Sequence, residues 1–493
     1  MKYPNIIFFR YNKYDYIDNF FKLNNATSLF NLNITSDKNY LNNLFDPSYH
    51  LLVTFGEIES EYFDDVFSII PGRMTRRWIH YTKIDNIQLF NNSVNYCFIN
   101  NVTLDHTFTR VTFSAFTTCY NSYDKIDRAY NSLKEQTLKD WEWVILDDSP
   151  NDEHFIFLKK KFDNDKRIRL YKRNENSGNI GNVKNEAVSL CRGKYVIELD
   201  HDDELMPYVL NDSKNVFDDD NEVGFIYMDF TNIYEDGSNF NYGNFFALGY
   251  SGYYNQKYKN KWLYVASTPN INNITLSHIV SVPNHPRIWR KDLLMKIGNY
   301  SEFLPISDDY ELLLRTAVNT KIVKIHKLGY IQYMNNNNNN FSLIRNSEIN
   351  RLCNNHIKPQ AYEDYKINDI MKKLNSYEDE YYRYNHCQIW KRKNFEHKYS
   401  NLIKNVDYTK IYCIIGIETL KREFNKINLA YQDNKNDFII LENSCTNEYL
   451  CNILDNFNFD RMKCYAMIDT TIDELILYFN YIYKSCDNIE IIT

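Results

Sequence analysis

Two apolar runs that each break into acid constrain this chain most. Residues 142–146 read Glu-Trp-Val-Ile-Leu and run into Asp147 and Asp148; residues 195–199 read Tyr-Val-Ile-Glu-Leu and run into Asp200, His201, Asp202, Asp203 and Glu204. Short apolar runs of this kind are strand candidates. Between them Val183, Ala187 and Leu190 recur at helical spacing, and Gly193 follows as a stop. Upstream, residues 110–116 read as a strand and 124–136 as a helix with Ile126, Tyr130 and Leu133 on one face. This alternation predicts an open α/β sheet. Ligands of such sheets bind beyond the carboxyl ends of the strands, which is where both acidic clusters fall.

The rest of the chain divides around this segment. At 493 residues the length prior is about three domains. Residues 1–105 alternate strand-like runs (6–9, 51–55, 78–81, 96–99) with helical stretches (14–23, 57–69), an accessory α/β domain. Residues 108–335 hold the acidic strand ends. Residues 335–340 are six consecutive asparagines, which supply no core and predict a loop. Residues 341–405 read as a helical or irregular connector, and 409–493 as a small α/β domain with strands at 411–417, 438–442, 463–468 and 489–492.

Composition excludes several classes. The formal charge is 57 − 64 = −7, which disfavours an overall basic nucleic-acid binder. None of the ten cysteines forms a C-x-x-C pair, so spacing supports no zinc or redox site, and the thiols suit a reducing compartment. No run approaches the ~18 apolar residues of a membrane span, and the run at Asn5 is shorter than a signal-peptide core. The expectation is a cytoplasmic protein with no transmembrane segment and no nucleic-acid partner.

The order of motifs in 108–335 resembles a family 2 glycosyltransferase with the GT-A fold. Phe116-Thr-Thr-Cys-Tyr-Asn121 stands where that family has a strand ending in a Pro-Thr-Tyr-Asn turn. Asp140-Trp-Glu-Trp-Val-Ile-Leu-Asp-Asp148, Asn176-Ser-Gly178 and Lys184-Asn-Glu-Ala187 match the next strand, loop and helix. Leu199-Asp-His-Asp-Asp-Glu-Leu205 is a D-x-D motif, and Gly298-Asn-Tyr300 followed by Asp308-Asp309-Tyr-Glu-Leu matches the acceptor side. The resemblance implies a doubly wound mixed-sheet core flanked by the two smaller α/β domains. It implies an inverting, metal-dependent transfer from a nucleotide-sugar donor, UDP-linked, to a carbohydrate-type acceptor. Donor binding then falls to Thr118, Tyr120, Asn121, Asp147, Asp148, Lys184 and Asp200. Asp147 is the first choice for the uracil ring and Asp309 is the general base, with Asp308 in place of the family's Glu.

Elementary chemistry runs beside the resemblance. Asp200 and Asp202 offer hard oxygens suited to Mg²⁺ or Mn²⁺, and a solvated acidic turn is the bland alternative. Tyr120 is placed to stack on a base or to sit at a rim. Lys184 is a point charge for phosphate or a solvated helix lysine. Asp147 suits an N-cap as well, and Asp308 is expected to cap a helix at 310–318. His285, Arg287 and Trp289 are acceptor-side candidates, with Trp289 stacking on a sugar, or else core residues. Two motifs are missing. No histidine follows the run Tyr330-Ile-Gln-Tyr-Met-Asn335, so either a metal has fewer protein ligands or another residue supplies one. No Q-x-x-R-W follows Asp309, which points to non-processive addition. A sugar-nucleotide nucleotidyltransferase would carry a glycine-rich loop early in its sheet, where Thr117–Asn121 is not one. A degenerate transferase kept for carbohydrate binding is the non-enzymatic alternative.

Overall fold

The computed structural model describes residues 5–24, 30–46, 49–57, 66, 68–69, 77–102, 111–173, 176–240, 253–269, 271–278, 280, 282–335, 340–374, 377, 410–433, 436–468, 470–483 and 488–493. These form two compact units: residues 1–110 with Ser189–Arg192, and residues 111–188 with 193–493.

The first unit is built on β1 (Asn5–Arg10), β2 (Asn31–Thr35), β3 (Tyr49–Phe55) and β4 (Trp78–Tyr81), all parallel in the order β2-β1-β3-β4. Ile6, Ile7, Phe8 and Phe9 are fully buried, as a central parallel strand covered on both faces requires. Ile6 and Phe8 pack with Ile17, Phe21 and Phe90 on one face, while Ile7 and Phe9 pack with Leu41 and Leu44 on the other. The expected strand at 96–99 lies instead inside the helix Ile87–Val102. Ile87, Phe90, Val94 and Cys97 face one cluster at helical spacing, and that period overrides the short apolar run. β2 escaped the sequence reading because its partly exposed Asn-Leu-Asn-Ile-Thr has little apolar signal. Most of 57–69 lies outside the described residues.

The second unit begins with β5 (Phe113–Cys119), β6 (Trp141–Asp147), β7 (Ile168–Lys172), β8 (Tyr195–Glu198) and the short β9 (Glu204–Leu205). It continues with β10 (Val223–Tyr234), β11 (Asn239–Phe240), β12 (Tyr253–Tyr258), β13 (Lys261–Ala266), β14 (Arg287–Arg290) and β15 (Lys321–Met334). The parallel strands lie in the order β7-β6-β5-β8, and antiparallel β14 joins β8 to β10. This is the doubly wound mixed sheet of the GT-A expectation, with its order reversing between β5 and β8. The carboxyl ends of β5, β6 and β8 therefore meet at the topological switch point. β6 is buried at all seven positions, and Trp143 Nε1 donates to Thr117 Oγ1 at 2.8 Å, fixing β5 against β6.

The C-terminal strands β16 (Ile411–Ile415), β17 (Asp437–Glu442), β18 (Lys463–Ala466) and β19 (Ile489–Ile492) form a parallel layer ordered β19-β16-β17-β18. This layer continues the central sheet rather than standing apart: β18 pairs with β12 through Asn255 and Cys464 alone. Buried Lys463 Nζ reinforces the seam, donating to the His326 carbonyl and to Asp437 Oδ2 at 2.8 Å. Short helices fill Phe341–Ile344 to Ile367–Lys373. Residues 336–339, in the asparagine run, and 378–409 lie outside the described residues. Among the described residues no helix is long and apolar enough to cross a membrane.

Candidate active site

At the end of β5, Thr118 is partly buried, Tyr120 is 55% exposed, and Asn121 turns the chain with φ 49°, its N–H donating to Ser149 Oγ at 2.9 Å. The neighbouring acids of β6 have unlike surroundings. Asp147 is fully buried; its Oδ1 accepts from Ser149 Oγ at 2.6 Å and from His154 Nδ1 at 2.9 Å. His154 Nε2 accepts the N–H groups of Ser122 and Tyr123, so the ring proton sits on Nδ1. Burial pushes the Asp147 carboxyl up, but His154 and Ser149 outweigh it and hold it below its usual range. Asp148 lies at the rim, accepting from Ser177 N–H and Asn176 Nδ2, both at 2.9 Å, and burial raises its pKa. Asp147 thus braces the loop, and Asp148 is the acid of the pair that faces outward to the 176–178 turn.

The turn after β8 carries the D-x-D. Asp203 Oδ1 accepts the Tyr333 N–H at 2.8 Å, and Glu204 binds Tyr333 Oη at 2.6 Å and Lys259 at 3.1 Å. These two acids anchor the turn to β15. Asp200 is partly buried, and its N–H donates to Tyr330 Oη at 3.1 Å. Burial and the Asp200 charge raise the Asp202 carboxyl, and burial with both neighbours raises Asp203 further. Such crowding of acids is what a bound cation relieves. Glu198, Asp200 and His285 each place one ligand atom within 4.8 Å of the others, and Asp202 stands outside this trio. His285 stacks on Tyr330 with ring centroids 5.0 Å apart, and its Nε2 lies 3.0 Å from Glu198 Oε2. His285, read from sequence as an acceptor residue, therefore lies beside the D-x-D, where the missing histidine would be needed.

The acceptor side is held by a buried ionic cluster. Ser307, in the left-handed region with φ 64°, precedes the helix Asp308–Asn319. Asp308 is the first helical residue and not the cap; it is buried, facing Lys184 Nζ at 3.7 Å. Gly181 makes this approach possible: a Cβ there would stand 2.2 Å from the Ser301 carbonyl and 2.9 Å from Asp308 Cβ. Burial, opposed by Lys184 and assisted by Asp309, pushes Asp308 up to about 6. Asp309 Oδ2 sits 3.0 Å from Arg287 Nη2, and its side chain keeps 23% exposure. Burial raises Asp309 too, but Arg287 and Lys184 outweigh it and hold it low. Neighbouring carboxylates raise one another's pKa, and here the rise falls on Asp308 alone.

Three other assignments change with the structure. Trp289 is fully buried on β14, packed on Phe225 and donating to Thr316 Oγ1 at 3.2 Å, so it is core and stacks on no sugar. Arg287 is 2% exposed and serves Asp309 and Glu198 rather than an acceptor. Lys184 is 8% exposed with its Nζ 2.6 Å from Glu198 Oε1, so its charge is already matched within the protein. Sequence reasoning passed over Glu198, the hub of this cluster, and His154. The signal for Glu198 was its place in Tyr-Val-Ile-Glu-Leu, since a charge inside a buried strand needs partners.

Comparison with known proteins gives a family for the central segment. Residues 114–296 match the family described as Glycosyl transferase family 2. Hyaluronan synthase of Pasteurella multocida is 23% identical over 338 residues, covering 66% of this chain and 31% of that protein. Chondroitin synthase of Pasteurella multocida (strain Pm70) is 22% identical over 368 residues, covering 69% and 36%. The chain spans about a third of the length of these relatives. Among solved structures, S. aureus TarS overlaps 52% of this chain and 43% of its own at 20% identity, with a TM-score of 0.35. Overlap that partial transfers no ligand. Five ordered motifs, the sheet order and the match over 114–296 together make this segment similar to the family 2 glycosyltransferases.

Proposed function

We propose that the chain is an inverting, non-processive glycosyltransferase that moves a sugar from a UDP-linked donor to a hydroxyl of a carbohydrate acceptor. The observation that carries this reading is the buried ionic cluster in which Glu198, two residues before Asp200 on the strand that leads into the D-x-D, is joined through Arg287 to Asp309. The names of the relatives, hyaluronan and chondroitin synthase, support a carbohydrate acceptor.

Asp148, with Tyr120 exposed beside the β5 turn, binds the base of the donor. The residues present fit a divalent cation: Asp200 and His285, whose ligand atoms lie within 4.8 Å of each other and of Glu198, supply a hard oxygen and an imidazole, with Asp202 next but one along the turn, while Lys184, Arg287 and Tyr300 engage Glu198. When bound, Mn²⁺ or Mg²⁺ neutralises charge on the leaving diphosphate. Asp309 takes the proton of the acceptor hydroxyl on its carboxylate as that oxygen attacks the anomeric carbon. Arg287 keeps Asp309 ionised at neutral pH and so ready as acceptor. The test is UDP release from UDP-glucose, UDP-galactose, UDP-N-acetylglucosamine and UDP-glucuronate, with Mn²⁺ and with EDTA. Turnover of at least one donor that EDTA abolishes is expected; no release from any of them overturns the reading.

A further inference from the structure

Glu198 lies on β8 two residues before Asp200 and is 2% exposed. One carboxylate there receives two cations, and each cation also reaches an acid of the Asp308–Asn319 helix. Lys184 Nζ is 2.6 Å from Glu198 Oε1 and 3.7 Å from Asp308 Oδ2. Arg287 Nη1 is 3.4 Å from Glu198 Oε2, and its Nη2 is 3.0 Å from Asp309 Oδ2. Tyr300 Oη donates to the same Glu198 oxygen at 3.0 Å, and Arg287 Nε is fixed on the Pro283 carbonyl at 3.0 Å. We propose that Glu198 is a positioning residue, which through Arg287 and Lys184 sets Asp309 and Asp308 in register with the strand that presents Asp200.

The physical case is one of cost against geometry. Burying this many charges is expensive, and an apolar core of the same volume would serve stability as well or better. What the ionic cluster supplies is precision. Arg287 is planar, and its two ends meet two carboxylates on different elements, so the helix cannot shift along β8 without breaking one contact. Misplacement of a reacting group by about 1 Å costs roughly 10²-fold in rate. Lys184 completes the frame from the helix Ile180–Leu190, where Gly181 allows the approach to Asp308. The inference rests on the reading of Asp309 as the general base.

Three full-length variants test it: Glu198→Gln, the double Lys184→Met with Glu198→Gln, and Arg287→Lys. The double variant leaves neither charge buried alone, so it keeps folding if the single variant does not. The measurements are melting temperature, Mn²⁺–UDP affinity by calorimetry, and kcat and KM for hydrolysis of whichever UDP-sugar the wild type turns over. Expected are Mn²⁺–UDP affinity and donor KM within about threefold of wild type, with kcat per folded molecule down roughly 10- to 100-fold in all three. Wild-type kcat in the folded double variant overturns the proposal. Loss of Mn²⁺–UDP affinity in Glu198→Gln also overturns it, by making Glu198 a metal ligand. A wild type with no turnover of any donor fails the parent reading instead, and this inference with it.

Discussion

Asp308 and Asp309 adjoin in sequence and differ in surroundings. Arg287 keeps Asp309 charged, whereas burial leaves Asp308 with a pKa of about 6. Asp309→Asn is expected to keep Mn²⁺–UDP affinity while kcat falls roughly 10²–10⁴-fold, the usual loss for an acid–base group. If calorimetry and a UDP-release assay show full turnover, the base lies elsewhere. Asp308 makes a second, thermodynamic prediction. Its pKa in the fold is above the ordinary ~3.9 of an aspartate, so the native state binds its proton more tightly than the unfolded chain. Stability from this group therefore falls as pH rises from about 4 to about 6, and the deficit persists above. Asp308→Asn should raise the melting temperature relative to wild type at pH 8 and not at pH 4. Scanning calorimetry at the two pH values decides it; a variant less stable at pH 8 would show that the charge is needed by Lys184. At the D-x-D turn, Asp202→Ala should weaken Mn²⁺-dependent UDP binding at least tenfold, and unchanged affinity would remove Asp202 from the metal set.

Individual elements show what can be read from sequence and what cannot. β6 and β8 were legible through the apolar runs Trp143–Leu146 and Tyr195–Ile197, and β5, with Ser114 and two threonines among its apolar residues, was read three residues early. The stretch at 96–99 was misread because four residues are too few to tell period two from helical period, and its neighbours Phe90 and Val94 decide. Asp200, Asp202 and Asp309 were legible through motif order. Glu198, His285 and Arg287 meet only once β8 and β14 pair, and no local spacing announces that pairing. Trp289 failed for the same reason: its ring fills the layer between β14 and the Asp308–Asn319 helix. Trp289→Ala should cost about 3–5 kcal/mol, as large buried truncations do. A soluble variant with unchanged stability and a raised acceptor KM would restore the sugar-stacking role. Gly181→Ala should be comparably damaging, because backbone at the Ser301 carbonyl leaves no room for a methyl group.

On the scale of the whole molecule, two units carry separate cores, and the transferase sheet of the second extends into the C-terminal layer. Ending the chain at residue 409 would uncover the β12 edge at Asn255 and the face of Tyr254 that Tyr465 covers, so the truncated protein should associate or precipitate, read by size-exclusion chromatography. A monomeric, fully active truncation would show that the layer is dispensable. The seam itself has a dynamic consequence. β10 and β15 register along eleven residue pairs, whereas β12 and β18 share one. A sheet opens where its ladder is thinnest, so β16–β19 should behave as one foldon that separates from the rest below the global unfolding free energy. Their amide protons would then exchange with deuterium at a shared rate, faster than those of β5, β6 and β8, and the transferase core would outlast its own extension.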